Sequence, residues 1–262
     1  MPDGDSGNNS AQFTAANSES LSITDNASLS TGDIDFSFVG WIYLDTVDAI
    51  RGILGKWQSP TELEHVITPT AAGAMRFAVS STGADVTVLT STFGNLSATT
   101  WYFFFCSHDS VANTLNISIN NGTVDSVSYL LGVRNGTSNF VIGNIEKDSN
   151  FMNGRIDSIG FAKSVLTAAT ITSLYNGGAG KRWCQLTGTE QALFTSWWDL
   201  GEASGSRSDS TASANTLTDN NTVTQAAGVT SGACSSASPD KSSAVSLGTS
   251  FGTGAAGGHH GF

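Results

Sequence analysis

The chain has 262 residues, with 11 Lys+Arg against 22 Asp+Glu, for a formal net charge of −11. Only 13% of residues are charged, about half the usual share, while Ser, Thr and Asn together fill roughly a third of the chain. No basic cluster is present to displace phosphate counterions, which argues against nucleic-acid binding, and no apolar run approaches the ~20 residues of a membrane-spanning helix.

Hydrophobic content of 39%, with 14 Phe and 6 Trp, suffices for one sizeable core. The opening Met1-Pro2-Asp3-Gly4-Asp5 is acidic and has no apolar stretch, so it does not read as a secretory leader. Along the chain the pattern is β. Leu21 and Ile23 alternate with Ser22 and Thr24. Residues 34–44 are apolar on both parities, which predicts a strand covered on both faces. Strands are further expected over 50–57, 65–68, 75–80, 85–90, 101–107 and 115–120. Asn121-Gly122 then predicts a hairpin turn with both residues at positive φ, leading into 123–127. Segments 140–142 and 151–161 continue the series, and such regular succession suits a sandwich or barrel.

One helix is expected. Thr167 can cap Ala168–Tyr175, with Ile171, Leu174 and Tyr175 on one side and Gly177 just past the end. It reads as a short surface helix over one end of the sandwich. After Lys181-Arg182-Trp183-Cys184 the composition changes. Residues 192–200 form a strand candidate, 202–224 are rich in Ser, Thr, Asn and Asp, and the tail from 231 to Gly257-Gly258-His259-His260-Gly261-Phe262 is linker-like. Of the three cysteines, Cys106 reads as a small buried hydrophobe. Cys184 and Cys234 can either stay apart or pair and pin the C-terminal segment.

Several segments, in order, resemble the laminin G-like (concanavalin A-like lectin/glucanase) jelly-roll domain. They are Ala11-Gln12-Phe13, Asp35 to Trp41, Ile53-Leu54-Gly55-Lys56, Thr100-Trp101-Tyr102, His108-Asp109, Asn113 to Ile117 with Asn121-Gly122, Gly154-Arg155-Ile156-Asp157, and Leu166 followed by Leu174 to Gly177. The resemblance implies an all-β, antiparallel jelly-roll β-sandwich with one short helix near 167–176. Trp198 to Asp209 and Leu217 to Val223 are similar to the segment that usually opens such a unit, yet here they follow the body. The expected organisation is a jelly-roll body over 1–183, a displaced opening segment over 184–230 completing the same or a neighbouring sandwich, and a Ser/Gly/Ala-rich tail over 231–262.

Within that frame, four tryptophans, Trp57, Trp183, Trp197 and Trp198, are candidates to stack on sugar rings, against the commoner reading of buried core. Asp157 shares parity with Ile159 and Phe161 and so is expected to point at an apolar face. It reads as a structural carboxylate, paired with Arg155 or anchoring a loop. The resemblance offers one structural Ca²⁺ at this position as the sharper alternative; no cofactor is otherwise required. The glucanase signature, three carboxylates on one strand, is missing. Glu62-Leu63-Glu64-His65 is the closest run and reads as a solvated edge.

The resulting expectation is a non-enzymatic structural and interaction protein. It would be a virion surface component, decorating a capsid or fibre-like, that assembles with itself or other particle proteins through its terminal segments and binds surface glycans. The alternative is a secreted or cell-surface lectin-like module of an adhesin. Both place the chain on a virion or outside the cell, with neither nucleic acid nor membrane as partner.

Overall fold

The structure is a computed structural model and describes residues 8–145 and 149–229. Cys234, His259-His260 and the rest of the Ser/Gly/Ala-rich tail lie outside the described residues.

In chain order the strands are β1 (Asn9–Phe13), β2 (Ser20–Ile23), β3 (Phe36–Leu44), β4 (Leu54–Trp57), β5 (Leu63–Pro69), β6 (Ala74–Val79), β7 (Thr87–Asn95), β8 (Trp101–Asp109), β9 (Thr114–Ile119), β10 (Asp125–Ser128), β11 (Phe140–Ile142) and β12 (Gly154–Ala162). Helix α1 (Ala168–Tyr175) and the four-residue α2 (Gly188–Gln191) follow, then β13 (Phe194–Trp198), β14 (Thr218–Asn220) and β15 (Thr224–Ala227). All pairings are antiparallel. An eight-stranded sheet runs β10-β9-β8-β3-β12-β1-β15, with β13 also paired to β12; a seven-stranded sheet runs β14-β2-β11-β4-β5-β6-β7. This is the expected all-β jelly-roll sandwich.

Phenylalanines at alternate positions fill the space between the sheets, because strand side chains alternate faces. Phe38 stacks on Phe161 at 4.8 Å and on Phe140 at 6.2 Å, and Phe140 stacks on Trp198 at 5.4 Å. Cys106 is buried and free, and burial pushes its thiol pKa up. Cys184 is disulfide-bonded.

The two outer faces differ. On the larger sheet, Val39, Trp41, Phe103 and Phe105 point outward and are covered by Leu166, Ile171, Leu174, Leu186, Phe194 and Trp197. Strand β3 is therefore buried on both faces, as its apolar parities predicted. Helix α1 starts where expected, with the Thr167 hydroxyl accepting the Thr170 amide at 3.2 Å. It lies across this sheet face rather than over one end of the sandwich. On the smaller sheet, no such helical cover lies over the outer face of β4 to β7 among the described residues, and only Trp57, Leu63 and Ile145 pack on Val66 and Ala78 there.

The polar stretch after residue 200 contributes two strands that its composition concealed. The first half of β12 pairs with β1 and the second half with β13. β14 pairs with β2, and β15 with β1. The Gly228 amide donates to the Asn8 carbonyl at 2.9 Å, so the two ends of the described fold are neighbours. The hairpin after β9 is present one residue earlier than expected. Asn120 and Asn121 take positive φ, and the Gly122 amide closes the turn on the Ile119 carbonyl at 3.0 Å.

Candidate functional site

The structure scatters the residues that sequence singled out. Trp198 is fully buried, with its indole N–H donating to the Asn215 carbonyl at 2.7 Å. Trp197 is buried in the cover over the larger sheet and donates its indole N–H to Asp199 at 2.7 Å. Trp183 is half-buried beside it, ring centroids 6.3 Å apart, and its amide also donates to Asp199. Only Trp57 lines an open groove.

Asp157 is not on the face that parity predicted. Strand β12 bulges between Asp157 and Gly160, with Ser158 at φ 51°. The extra residue resets the alternation. Asp157 pairs across from Trp41 on the outer side, while Ile159 and Phe161 belong to the inter-sheet core. Its Oδ1 accepts the Ser158 hydroxyl at 2.9 Å and its Oδ2 accepts the Val229 amide at 2.9 Å. A Cβ on Gly228 would lie 2.5 Å from Oδ2, so the chain after β15 is pressed against this carboxylate. Hydrogen-bearing donors are the wrong surroundings for calcium, which takes a shell of oxygens. Among the described residues no group of three or more His, Cys, Asp or Glu gathers. The residues present do not fit the ion. Arg155 lies over the Tyr43 ring at 4.6 Å and donates to Gln12 and the Ala227 carbonyl.

Glu62-Leu63-Glu64-His65 is no solvated edge either, because β5 lies inside its sheet between β4 and β6. Glu64 is fully buried, 2.7 Å from Lys56 Nζ, and accepts the Thr31 hydroxyl. Burial alone would raise its pKa; the neighbouring His65 and the Lys56 ammonium reverse the sign and hold it at about 2. His65 is fully buried among Phe36, Phe38 and Phe140, and burial pushes its pKa down. The Lys56 ammonium 2.7 Å away favours the ionised form of Glu64 as well. Glu62 pairs with Arg134 at 2.6 Å.

The open feature is a groove of about 230 Å³ on the outer face of the smaller sheet, lined by Trp57, Val66, Thr68, Arg76, Ala78, Val86, Val88 and Ile145, with Ile50 and Asn150 at its flank. Strand register explains it. Gly55, Val66, Ala78 and Val88 form one row across β4 to β7. Small side chains at Gly55 and Ala78 keep this floor low. Gly55 is obligatory, since a Cβ there would come within 2.5 Å of the His65 carbonyl. The neighbouring row holds Thr68, Arg76 and Thr90. Trp57, packed with Leu63, Val66, Ala78 and Ile145, forms a small apolar cluster separate from the main core. Val86 and Val88 are 48% and 46% exposed, and Ile50 is 36% exposed. Loops close the flank: the Gly52 amide donates to the Asn150 carbonyl at 2.8 Å, and a Cβ on Gly52 would lie 2.2 Å from the Asn144 backbone.

Most of this lining escaped the sequence reading. The available signal was in the parities. Met75, Phe77 and Val79 face the core, which sends Arg76 and Ala78 outward. Val88 on the edge strand β7, and Val86 just before it, put apolar groups on the outward parity, where polar residues are the norm. Chemically, the groove offers an apolar floor and one guanidinium to a ligand with an apolar face and hydrogen-bond acceptors.

Comparison with known proteins adds to this. A family model described as the Concanavalin A-like lectin/glucanases superfamily matches residues 13–172. No curated protein matches the chain. Among solved structures, a candidate carbohydrate-binding protein from Bacteroides ovatus is similar with a TM-score of 0.62 at 15% identity, covering 87% of this chain and 62% of that one. The binding domain of Paraclostridial Mosquitocidal Protein 1 is similar with a TM-score of 0.52 at 14% identity, covering 67% of this chain and 48% of that one. The chain thus spans less than two thirds of the length of either. At such identities the likeness is one of fold.

Proposed function

The chain belongs to the Concanavalin A-like lectin/glucanases superfamily, and from that premise we propose that it is a non-catalytic carbohydrate-binding domain whose site is the groove across β4 to β7. The observation that carries this reading is the groove itself. The equivalent face of the larger sheet is sealed by α1 and the segment after it, whereas this face leaves two valines and an isoleucine open to solvent above a largely buried indole. Apolar side chains suit the C–H face of a pyranose, and the exposed hydroxyl of Thr90 and the amide of Asn150 flank it with polar groups. Support for a binding rather than hydrolytic role comes from the carboxylates: Glu62 and Glu64 are both held in ion pairs.

A glycan array read with wild-type protein and with Val88→Trp tests the proposal. The expected result is binding to a subset of glycans, lost about tenfold or more in the variant because an indole fills the floor, with an unchanged melting temperature. Absence of binding to every glycan overturns it.

A second reading, a virion surface component assembling through its terminal segments, is favoured by β15. This short strand ends the larger sheet and leaves one backbone edge unpaired among the described residues. Such an edge can accept a strand from another copy. Light scattering at high protein concentration decides it: a strict monomer sets this reading aside.

A further inference from the structure

We infer that the groove is specific for an acidic sugar, with Arg76 as the residue that recognises the ligand's carboxylate. The inference rests on the carbohydrate-binding reading and names its ligand class.

Arg76 stands apart from every other described cation. Arg51 pairs with Asp48, Lys56 with Glu64 and Asp25, Arg134 with Glu62, Lys181 with Glu190, and Arg182 lies 3.9 Å from Asp199. Arg155 and Arg207 donate to backbone carbonyls, and Lys163 donates to the Ala27 carbonyl. Arg76 has neither an ion pair nor a hydrogen bond among the described residues. Its Nε is nonetheless buried and unpartnered. The chain carries 22 acidic residues against 11 basic ones, so acidic partners are plentiful, and this one arginine is left without any.

The cross-strand neighbours of Arg76 are Thr68 and Thr90. Thr68 spends its hydroxyl proton on the Arg51 carbonyl at 2.9 Å. Neither neighbour brings a charge. The buried Nε lies out of a ligand's reach, so the edge that the guanidinium presents to the groove is the end-on pair of Nη groups, which hold no hydrogen bond among the described residues. That edge matches the two oxygens of a carboxylate in a bidentate pair. The apolar floor of Val66 and Ala78 raises the strength of such a pair by keeping water away. A neutral sugar would offer only single hydroxyl acceptors and leave part of the fork unmet. Trp57 and the floor receive the ring; Arg76 receives the acid.

The test uses three matched probes against the full chain, read by calorimetry: a glucuronic-acid-terminated disaccharide, the same disaccharide with its carboxyl reduced to hydroxymethyl, and a sulfated counterpart. The expected order is carboxylate tightest, with the reduced sugar about tenfold to a hundredfold weaker. Arg76→Gln should remove that preference while leaving the melting temperature at or above wild type, since it deletes an uncompensated charge. Arg76→Lys should keep attraction to the acid but lose most of the carboxylate-over-sulfate preference, because a point charge lacks the fork. If the sulfated sugar binds tightest, or if Arg76→Gln binds the acid as wild type does, the inference fails. Equal binding of acid and reduced sugar, both blocked by Val88→Trp, also overturns it but leaves the carbohydrate-binding reading standing. Absence of binding to all three probes and to a wider glycan array overturns both.

Discussion

Lys56 shows what a single side chain holds in place. Its ammonium is fully buried and bridges Glu64 at 2.7 Å and Asp25 at 2.8 Å, and it donates to the Gly136 carbonyl. Removing one partner of a buried pair strands the other, at about 3–5 kcal/mol. Lys56→Met is therefore expected to lower stability by that order in urea unfolding. The acid side of the pH profile follows from Glu64, whose pKa falls from 4.5 to about 2 on folding. A depressed carboxylate stabilises the fold fully above 4.5, and the contribution is lost as pH falls from 4.5 toward 2. Wild type should lose stability across that window, and Lys56→Met should show a flatter profile there; identical slopes would contradict the assignment. The sequence displayed Glu62 and Glu64 but not their fates, because a carboxylate's role depends on which cation the fold brings to it. Arg76 is the converse case: the sequence shows an arginine, and only the packing shows that nothing among the described residues answers it.

At the scale of elements, periodicity performed well where one rule governed and failed where two competed. Helix α1 follows from its cap and its apolar spacing, and the structure has it at the expected bounds. Strand β12 reads as unbroken alternation, yet a bulge at Ser158 moves Asp157 to the other face. Periodicity has no term for an inserted residue. Helix α2 adds a device that short sequences hide. The Thr187 hydroxyl accepts the Glu190 amide, and Glu190 Oε2 accepts the Thr187 amide at 2.7 Å. Glu190 Oε1 accepts from Ser173 on α1 and from Lys181. One carboxylate thus caps α2 and ties it to the helix covering the larger sheet. Burial alone would raise the Glu190 pKa, but these hydrogen bonds outweigh it and hold the value at about 2. Glu190→Ala is expected to cost about 1–2 kcal/mol and to increase amide exchange in α1 and α2 before the sheets. Uniform exchange across the molecule would show that the two helices are not joined in this way.

For the whole molecule, the segment from 194 to 229 is decisive. It supplies β13, β14 and β15 to both sheets, and Trp198, Leu200, Leu217 and Val223 to the core between them, all fully buried. Deleting buried side chains of this size costs about 2–5 kcal/mol each, against a total stability of about 5–15 kcal/mol for an ordinary domain. A chain ending at Leu193 is therefore expected to lack a cooperative thermal transition and near-ultraviolet dichroism. A native-like melt from that truncation would mean the body stands alone.

What the sequence by itself determined is the class of the molecule. The low charge, the alternating apolar positions, the one capped helix and the ordered jelly-roll segments are local properties, and a strand's alternation is visible in the strand alone. What only the tertiary structure decided is which surface is free. Both sheets have apolar residues on their outward parity, and nothing within β3 or β6 says which will be covered. That outcome depends on α1 and the residues after it folding back over one sheet and not the other, a contact between segments more than a hundred residues apart. The groove, and the unanswered guanidinium of Arg76 within it, exist because that cover goes to the larger sheet.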